Sequence, residues 1–134
     1  MYVSEILVSG GIRAHPGDVL FTLELFVPST GITKVCTSMT LPGPIRSHTI
    51  NIIDNKPVIC GGIPSIATCI IFTGGKWEEY SKLVPDREGQ GSWLASNNDI
   101  VLLGGDIGNA KSTSIVPNGG GQSVEGFDLK DNAA

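Results

Sequence analysis

Residues 56–62 read KPVICGG, a short run of strand-forming residues that ends in two glycines. The same pattern stands at 4–11 as SEILVSGG and at 99–106 as DIVLLGGD. The first glycines of the three pairs are 51 and then 43 residues apart, a spacing typical of propellers and solenoids. The chain of 134 residues therefore reads as a single domain built from repeats.

Four short strands joined by tight turns make up the middle repeat. They are predicted over residues 46–53, 57–62, 66–72 and 77–83. The third repeat shows the same succession, with its last strand placed after a glycine-rich turn at 119–121. Four antiparallel strands with tight turns are the content of one propeller blade.

The first repeat is incomplete, because strands at 20–27 and 33–39 follow its Gly-Gly pair but its opening strand is missing. The sequence thus predicts an all-β fold, a partial β-propeller of about two and a half four-stranded blades. The predicted boundaries are an incomplete blade at 1–44, a blade at 45–85 and a blade at 86–130. Such a chain is expected to associate with itself or to belong to a longer protein with further blades, because open blade faces and edges expose apolar surface.

The repeats resemble the Kelch repeat, in which an arginine precedes the first strand, two glycines end the second, an aromatic lies in the third and a tryptophan begins the fourth. The resemblance covers essentially the whole chain. The segments PVICGG and VLLGG are also similar to those of a group of divergent invertebrate Kelch-type propellers. It implies a structural role for the matching residues, which are Gly10, Gly11, Arg46, Gly61, Gly62, Phe72, Trp77, Arg87, Gly104 and Gly105. Phe72 and Trp77 are then expected to pack between blades, and Arg46 and Arg87 to tie adjacent blades together.

Charge and hydropathy exclude several classes of partner. The formal net charge is −4 with nine basic residues, which argues against nucleic-acid binding. No basic cluster suits an anionic membrane surface, and the apolar runs are far shorter than the roughly 20 residues that span a bilayer. We therefore expect a protein partner, no nucleic acid and no membrane insertion.

No residue pattern supports a catalytic, cofactor or metal site. Residues 105–112 half-resemble a phosphate-binding loop, but the residues that follow favour a strand rather than the required helix. Some Kelch-type propellers are copper oxidases, whose site needs His, Tyr and Cys ligands. Two histidines, His15 and His48, and two tyrosines make such a site improbable here, so we expect neither an enzyme nor a cofactor.

Cys60 and Cys69 flank a predicted hairpin, where they are expected to stand opposite each other. The residues leave two readings open, a disulfide or two buried thiols. A disulfide implies an oxidising, extracellular location, and free thiols imply the cytoplasm. Cys36 lies in another repeat and is expected to be free.

Kelch-type propellers present loops on their faces, and in many members of the family those loops bind proteins. The leading hypothesis is a non-enzymatic interaction scaffold whose binding loops join the second to the third strands. The candidate binding residues in those loops are Arg13, His15, Asp106, Asn109 and Lys111. The alternatives are an extracellular carbohydrate-binding or adhesion-type propeller, or a fragment without independent activity.

Overall fold

The computed structural model describes residues 5–11, 20, 22–36, 39–63, 67–83, 87–105 and 113–125. These residues form twelve short strands in three sheets, and no helix occurs among them. The predicted all-β class is confirmed. The chain divides into two compact units, Met1–Arg46 and Ser47–Ala134.

The first unit contains one antiparallel sheet of three strands. Its strands are β1 (Ile6–Ser9), β2 (Leu23–Val27) and β3 (Ile32–Val35), in the spatial order β1-β2-β3. The predicted turn at 28–31 is present, because the amides of Thr30 and Gly31 donate to the Val27 carbonyl at 3.2 and 2.8 Å. Two strands follow the Gly-Gly pair here, as the sequence predicts.

The second sheet is built mainly from the middle repeat. Its strands β4 (Thr49–Ile53), β5 (Lys56–Cys60), β6 (Thr68–Thr73) and β7 (Lys76–Lys82) pair as consecutive antiparallel neighbours. The first strand begins three residues later than predicted, because Ser47 has a positive φ of 58° that extended backbone does not adopt. Asp54 and Asn55 both have positive φ, which matches the twist of a two-residue hairpin.

The third sheet comes from the last repeat. It contains β8 (Gly91–Leu94), β9 (Ile100–Leu103), β10 (Thr113–Val116) and β12 (Val124–Glu125), in the order β12-β10-β9-β8. All its neighbouring strands are antiparallel. The second and third sheets therefore share the predicted succession of four antiparallel strands.

The glycine-rich segment at 119–121 is more than the turn that the sequence predicts. A two-residue strand, β11 (Gly121–Gln122), leaves the third repeat and joins the second sheet, parallel to β7. The amide of Ser123 donates to the Lys82 carbonyl at 2.9 Å and continues this contact. The close approach requires glycine, because a Cβ on Gly120, at φ 87°, would collide with the backbone carbonyl of Tyr80.

The buried core of the second unit lies between the second and third sheets. Val58, Cys60 and Cys69 contribute from the second sheet, and Ile100 and Leu102 from the third. Val58 and Cys60 alternate with Ile59 along β5, so they occupy one face of that strand. This face is the one that packs toward the third sheet.

All three Gly-Gly pairs adopt the left-handed backbone region. Gly61 and Gly104, the first glycines of the second and third pairs, have nearly equal φ values of 65° and 68°. Their surroundings differ. A Cβ on Gly61 would lie 2.5 Å from the Arg87 carbonyl oxygen, whereas a Cβ on Gly104 would meet nothing within 4 Å.

This difference gives a matched pair of variants. Gly104→Ala should lower the free energy of unfolding by about 1–2 kcal/mol, the cost of a left-handed alanine. Gly61→Ala should cost that amount plus about 1–3 kcal/mol for the overpacked contact. Urea unfolding of both variants measures the two losses. Equal losses would show that the Arg87 segment moves aside freely and does not pack rigidly on Gly61.

Candidate functional site

The candidate binding residues Arg13, His15, Asp106, Asn109 and Lys111 lie outside the residues that the structure describes. What the structure describes is the base of their loops, where the second strand of each repeat ends in its Gly-Gly pair. We call these three glycine pairs the loop roots: Gly10–Gly11, Gly61–Gly62 and Gly104–Gly105. The geometry of the loop roots decides how firmly the loops are held.

The first glycine of a loop root closes the hairpin to the following strand. The Gly61 amide donates to the Thr68 carbonyl at 3.0 Å, and the Gly10 amide donates to the Thr22 carbonyl at 2.9 Å. The same bond therefore occurs at the same repeat position in both units. It connects the residue at the start of each loop to the strand that follows the loop.

The second glycine bonds to the segment that begins the next repeat. The Gly62 amide donates to the Arg87 carbonyl at 3.1 Å, and the Gly11 amide donates to the Ile45 carbonyl at 2.9 Å. Ile45 directly precedes Arg46, the repeat counterpart of Arg87. The backbone of the first two loop roots is thus connected both within its own sheet and to the next repeat.

Arg87 is fully buried and holds the loop root of its own repeat. Its Nη1 donates to the Gly104 carbonyl at 3.1 Å, and its Nη2 donates to the Ser114 hydroxyl at 2.6 Å, a side chain that is also buried. These side-chain bonds join β10 to the end of β9. Between adjacent repeats, the Arg87 backbone carbonyl accepts from the Gly62 amide.

Arg46 does not reproduce this arrangement. Arg46 is half buried, whereas Arg87 is fully buried. The two arginines therefore differ in their environments, although they occupy the same position of the repeat pattern.

Gln90 also holds the strand end at the second loop root, a role that the sequence did not predict. It is buried, and its Nε2 donates to the Cys60 carbonyl at 2.9 Å and to the Thr49 hydroxyl at 3.2 Å. Gln90 follows Arg87 by three positions, as Thr49 follows Arg46. Both repeats thus carry a polar residue three positions after the arginine, and this shared feature of the sequence could have identified Gln90. The bonds link the start of the third repeat to the second sheet beside Gly61.

Phe72 and Trp77 pack on each other, and their expected packing between blades stays a prediction. They are directly opposed partners in the β6–β7 hairpin, and their ring centroids lie 5.4 Å apart in an edge-to-face arrangement. Both are half buried, and neither belongs to the core cluster. An edge-to-face pair of this kind stabilises a hairpin by about 0.5–1.5 kcal/mol beyond the area it buries.

Cys60 and Cys69 form a disulfide in this structure. They are directly opposed in the register of β5 and β6, as the hairpin reading predicts, and both are fully buried. The bond therefore closes the hairpin immediately before the loop root Gly61–Gly62. Its position adds a covalent connection at the base of that loop.

Cys36 is a free cysteine at the end of β3. Burial raises the pKa of its thiol, and the nearby carboxylates of Glu5 and Glu24 raise that pKa further because they disfavour the thiolate. Since the thiolate is the nucleophile, this environment makes Cys36 a poor one at neutral pH.

The described residues contain no group of three or more His, Cys, Asp or Glu side chains placed to hold a metal ion. No helix in the described part of the chain has the length and apolar character of a membrane span.

The Cys36 environment predicts the alkylation behaviour of the folded protein. One thiol per chain should react with iodoacetamide without reductant, and its apparent pKa should lie above that of an ordinary cysteine. Glu24→Gln should lower that pKa, because the substitution removes one charge that disfavours the thiolate. Glu78→Gln on β7 is the control and should leave it unchanged. Three reactive thiols without reductant would contradict the disulfide.

The Arg87 contacts predict a loss of stability on truncation. Arg87→Met should lower the free energy of unfolding by about 3 kcal/mol, because the Gly104 carbonyl and the Ser114 hydroxyl lose their charged donor. Arg46→Met is the matched control and should cost about 1 kcal/mol or less. A double-mutant cycle of Arg87→Met with Ser114→Ala measures the coupling of the pair. Additive effects would show that the two side chains do not interact energetically.

No protein-family model matches the chain, and no curated protein matches it. Among solved structures, it is similar to a fungal alcohol oxidase described as showing catalytic diversity among the AA5 family and solved in complex with copper, with a TM-score of 0.55 and 18% sequence identity. The match covers 84% of this chain and 26% of that oxidase, so the chain spans about a quarter of the oxidase's length. At this identity the likeness concerns the β-rich fold alone.

Proposed function

We propose that this chain is part of a Kelch-type propeller and acts as a non-enzymatic scaffold that binds a protein through its loops. Two sheets with the same succession of four antiparallel strands support the propeller. Each succession of four antiparallel strands is one blade in this proposal, and the three-stranded first sheet is an incomplete one.

The observation that carries the proposal is the set of bonds that hold the loop roots. Gly62 is hydrogen-bonded to the Arg87 carbonyl, Gly104 accepts from the buried Arg87 guanidinium, and the disulfide clamps the strands at Gly61. Loops that start from such a fixed base present side chains at defined positions, which lowers the entropy lost on binding. The three loops follow the same strand of each repeat and are the natural binding elements.

Charge reversal in the loops tests the proposal. One variant carries Arg13→Glu and His15→Glu, and a second carries Asp106→Lys and Lys111→Glu. Proteins captured from an extract of the native cells by the immobilised chain are identified by mass spectrometry, and their affinities are measured by interferometry. At least one loop variant should bind about 10-fold or more weakly.

The control swaps an exposed ion pair away from the loops. Lys76→Glu with Glu78→Lys keeps the net charge and exchanges two surface residues whose charged atoms lie 3.4 Å apart. It should bind normally, since exposed pairs contribute little. A partner that binds the native chain and both loop variants equally would show that the loops are not the binding site, and the absence of any captured protein would refute the scaffold.

A second candidate, an extracellular carbohydrate-binding or adhesion-type propeller, is favoured by the Cys60–Cys69 disulfide. Disulfides persist in oxidising compartments and are rare in the cytosol. The same loop variants on a glycan array distinguish the two candidates. Glycan binding that the loop variants abolish would favour the carbohydrate-binding propeller over the protein scaffold.

A further inference from the structure

One face of the third sheet carries a row of apolar side chains that crosses all four strands. Val124 stands opposite Ile115, Ile115 opposite Val101, and Val101 opposite Trp93. Directly opposed residues project to the same side of a sheet, so the four side chains share a face. Leu103, two residues after Val101, lies on that face as well. We call this surface the outer face of the third sheet.

The outer face is exposed. Trp93 is 63% exposed, Val124 62% and Leu103 42%, whereas the opposite side of the same sheet contributes Ile100 and Leu102 to the core. Single exposed apolar residues are ordinary, but a contiguous row that includes a tryptophan is typical of an interaction surface. The sheet is therefore apolar on both sides and covered on one.

The second sheet shows what covers the equivalent surface. Counted back from the Gly-Gly pairs, Val101 corresponds to Val58, and Leu103 corresponds to Cys60. Val58 and Cys60 are fully buried in the core shared with the third sheet. The same face, one repeat earlier, is thus covered by the following sheet.

The covering surface in that contact is the side of the third sheet that carries Ile100 and Leu102. By the same count, Ile6 and Val8 of the first sheet correspond to these two residues. Ile6 and Val8 are 45% and 47% exposed, and Phe26 stands opposite Ile6 on the same side. The chain therefore presents both halves of a contact that its second and third sheets make with each other.

We propose that the outer face of the third sheet docks on the Ile6–Val8 face of the first sheet in a second copy of this chain. The two surfaces differ, so the contact is heterologous and joins copies head to tail into a ring or a filament. The inference uses sheet faces rather than loops and stands independently of the proposed partner binding.

Two variants and their mixture test the contact. Trp93→Lys removes the largest side chain of one surface, and Val8→Lys disrupts the other. Each should raise the dissociation constant of self-association about 30-fold or more, as measured by analytical ultracentrifugation. An equimolar mixture of the two should form dimers and nothing larger, because the outer face of the Val8→Lys copy and the Ile6–Val8 face of the Trp93→Lys copy remain intact.

Ile32→Lys is the matched control. Ile32 is 51% exposed on the other side of the first sheet, opposite Val27, and its substitution should leave self-association unchanged. The contact is expected to have a Kd of about 10 μM. A native chain that stays monomeric at about 100 μM, a concentration about tenfold higher, would therefore overturn the proposal. Self-association that Trp93→Lys abolishes but Val8→Lys preserves would overturn the head-to-tail arrangement. Circular dichroism confirms that each variant is folded.

Discussion

The second unit depends on the close approach of the 87–90 segment to the Gly61 backbone. Gly62 donates to the Arg87 carbonyl, and Gln90 donates to the Cys60 carbonyl, so two polar contacts cross from the third repeat to the second at one point. The absence of a side chain on Gly61 permits both, because a Cβ there would lie 2.5 Å from the Arg87 carbonyl oxygen and 2.9 Å from Gln90 Nε2. Cys60, whose carbonyl takes part in this approach, belongs to the same hydrophobic core as Val58, Ile100 and Leu102.

The repeat pattern predicted the strands and their succession because each strand is bounded by local signals. Turn residues such as Asp54 and Asn55 tolerate positive φ, as the glycine pairs do, so local sequence is sufficient there. The strand β11 depends instead on a non-local contact between Gly121 and Ser81 of another repeat. No local pattern encodes a partner forty residues away, so the sequence indicated only a turn.

The candidate site was predicted in part for a similar reason. The Kelch-like pattern selected Arg87 and the glycines, which do form the loop roots, and it assigned Phe72 and Trp77 to a contact between repeats. Their pairing within one hairpin follows from the register of β6 and β7, which places the two residues directly opposite each other. Because a Gly-Gly turn joins these two short strands, each ring is the nearest packing partner of the other. Gln90 was missed because no repeat consensus names its position, although its amide is buried and makes two described bonds.

The second and third repeats fasten equivalent points by different chemistry. In the second sheet, the residues just before the loop root and opposite it are Cys60 and Cys69, which are joined covalently. In the third sheet, the equivalent pair is Leu103 and Thr113, and no bond joins them. There the buried Arg87 guanidinium holds the Gly104 carbonyl and thereby fixes the end of β9. Since a disulfide closing a loop of this size stabilises by about 2–3 kcal/mol, and two hydrogen bonds to a charged group contribute a similar amount, either device suffices. The constraint common to the repeats is that the strand end must be held, and the residue that holds it is free to vary.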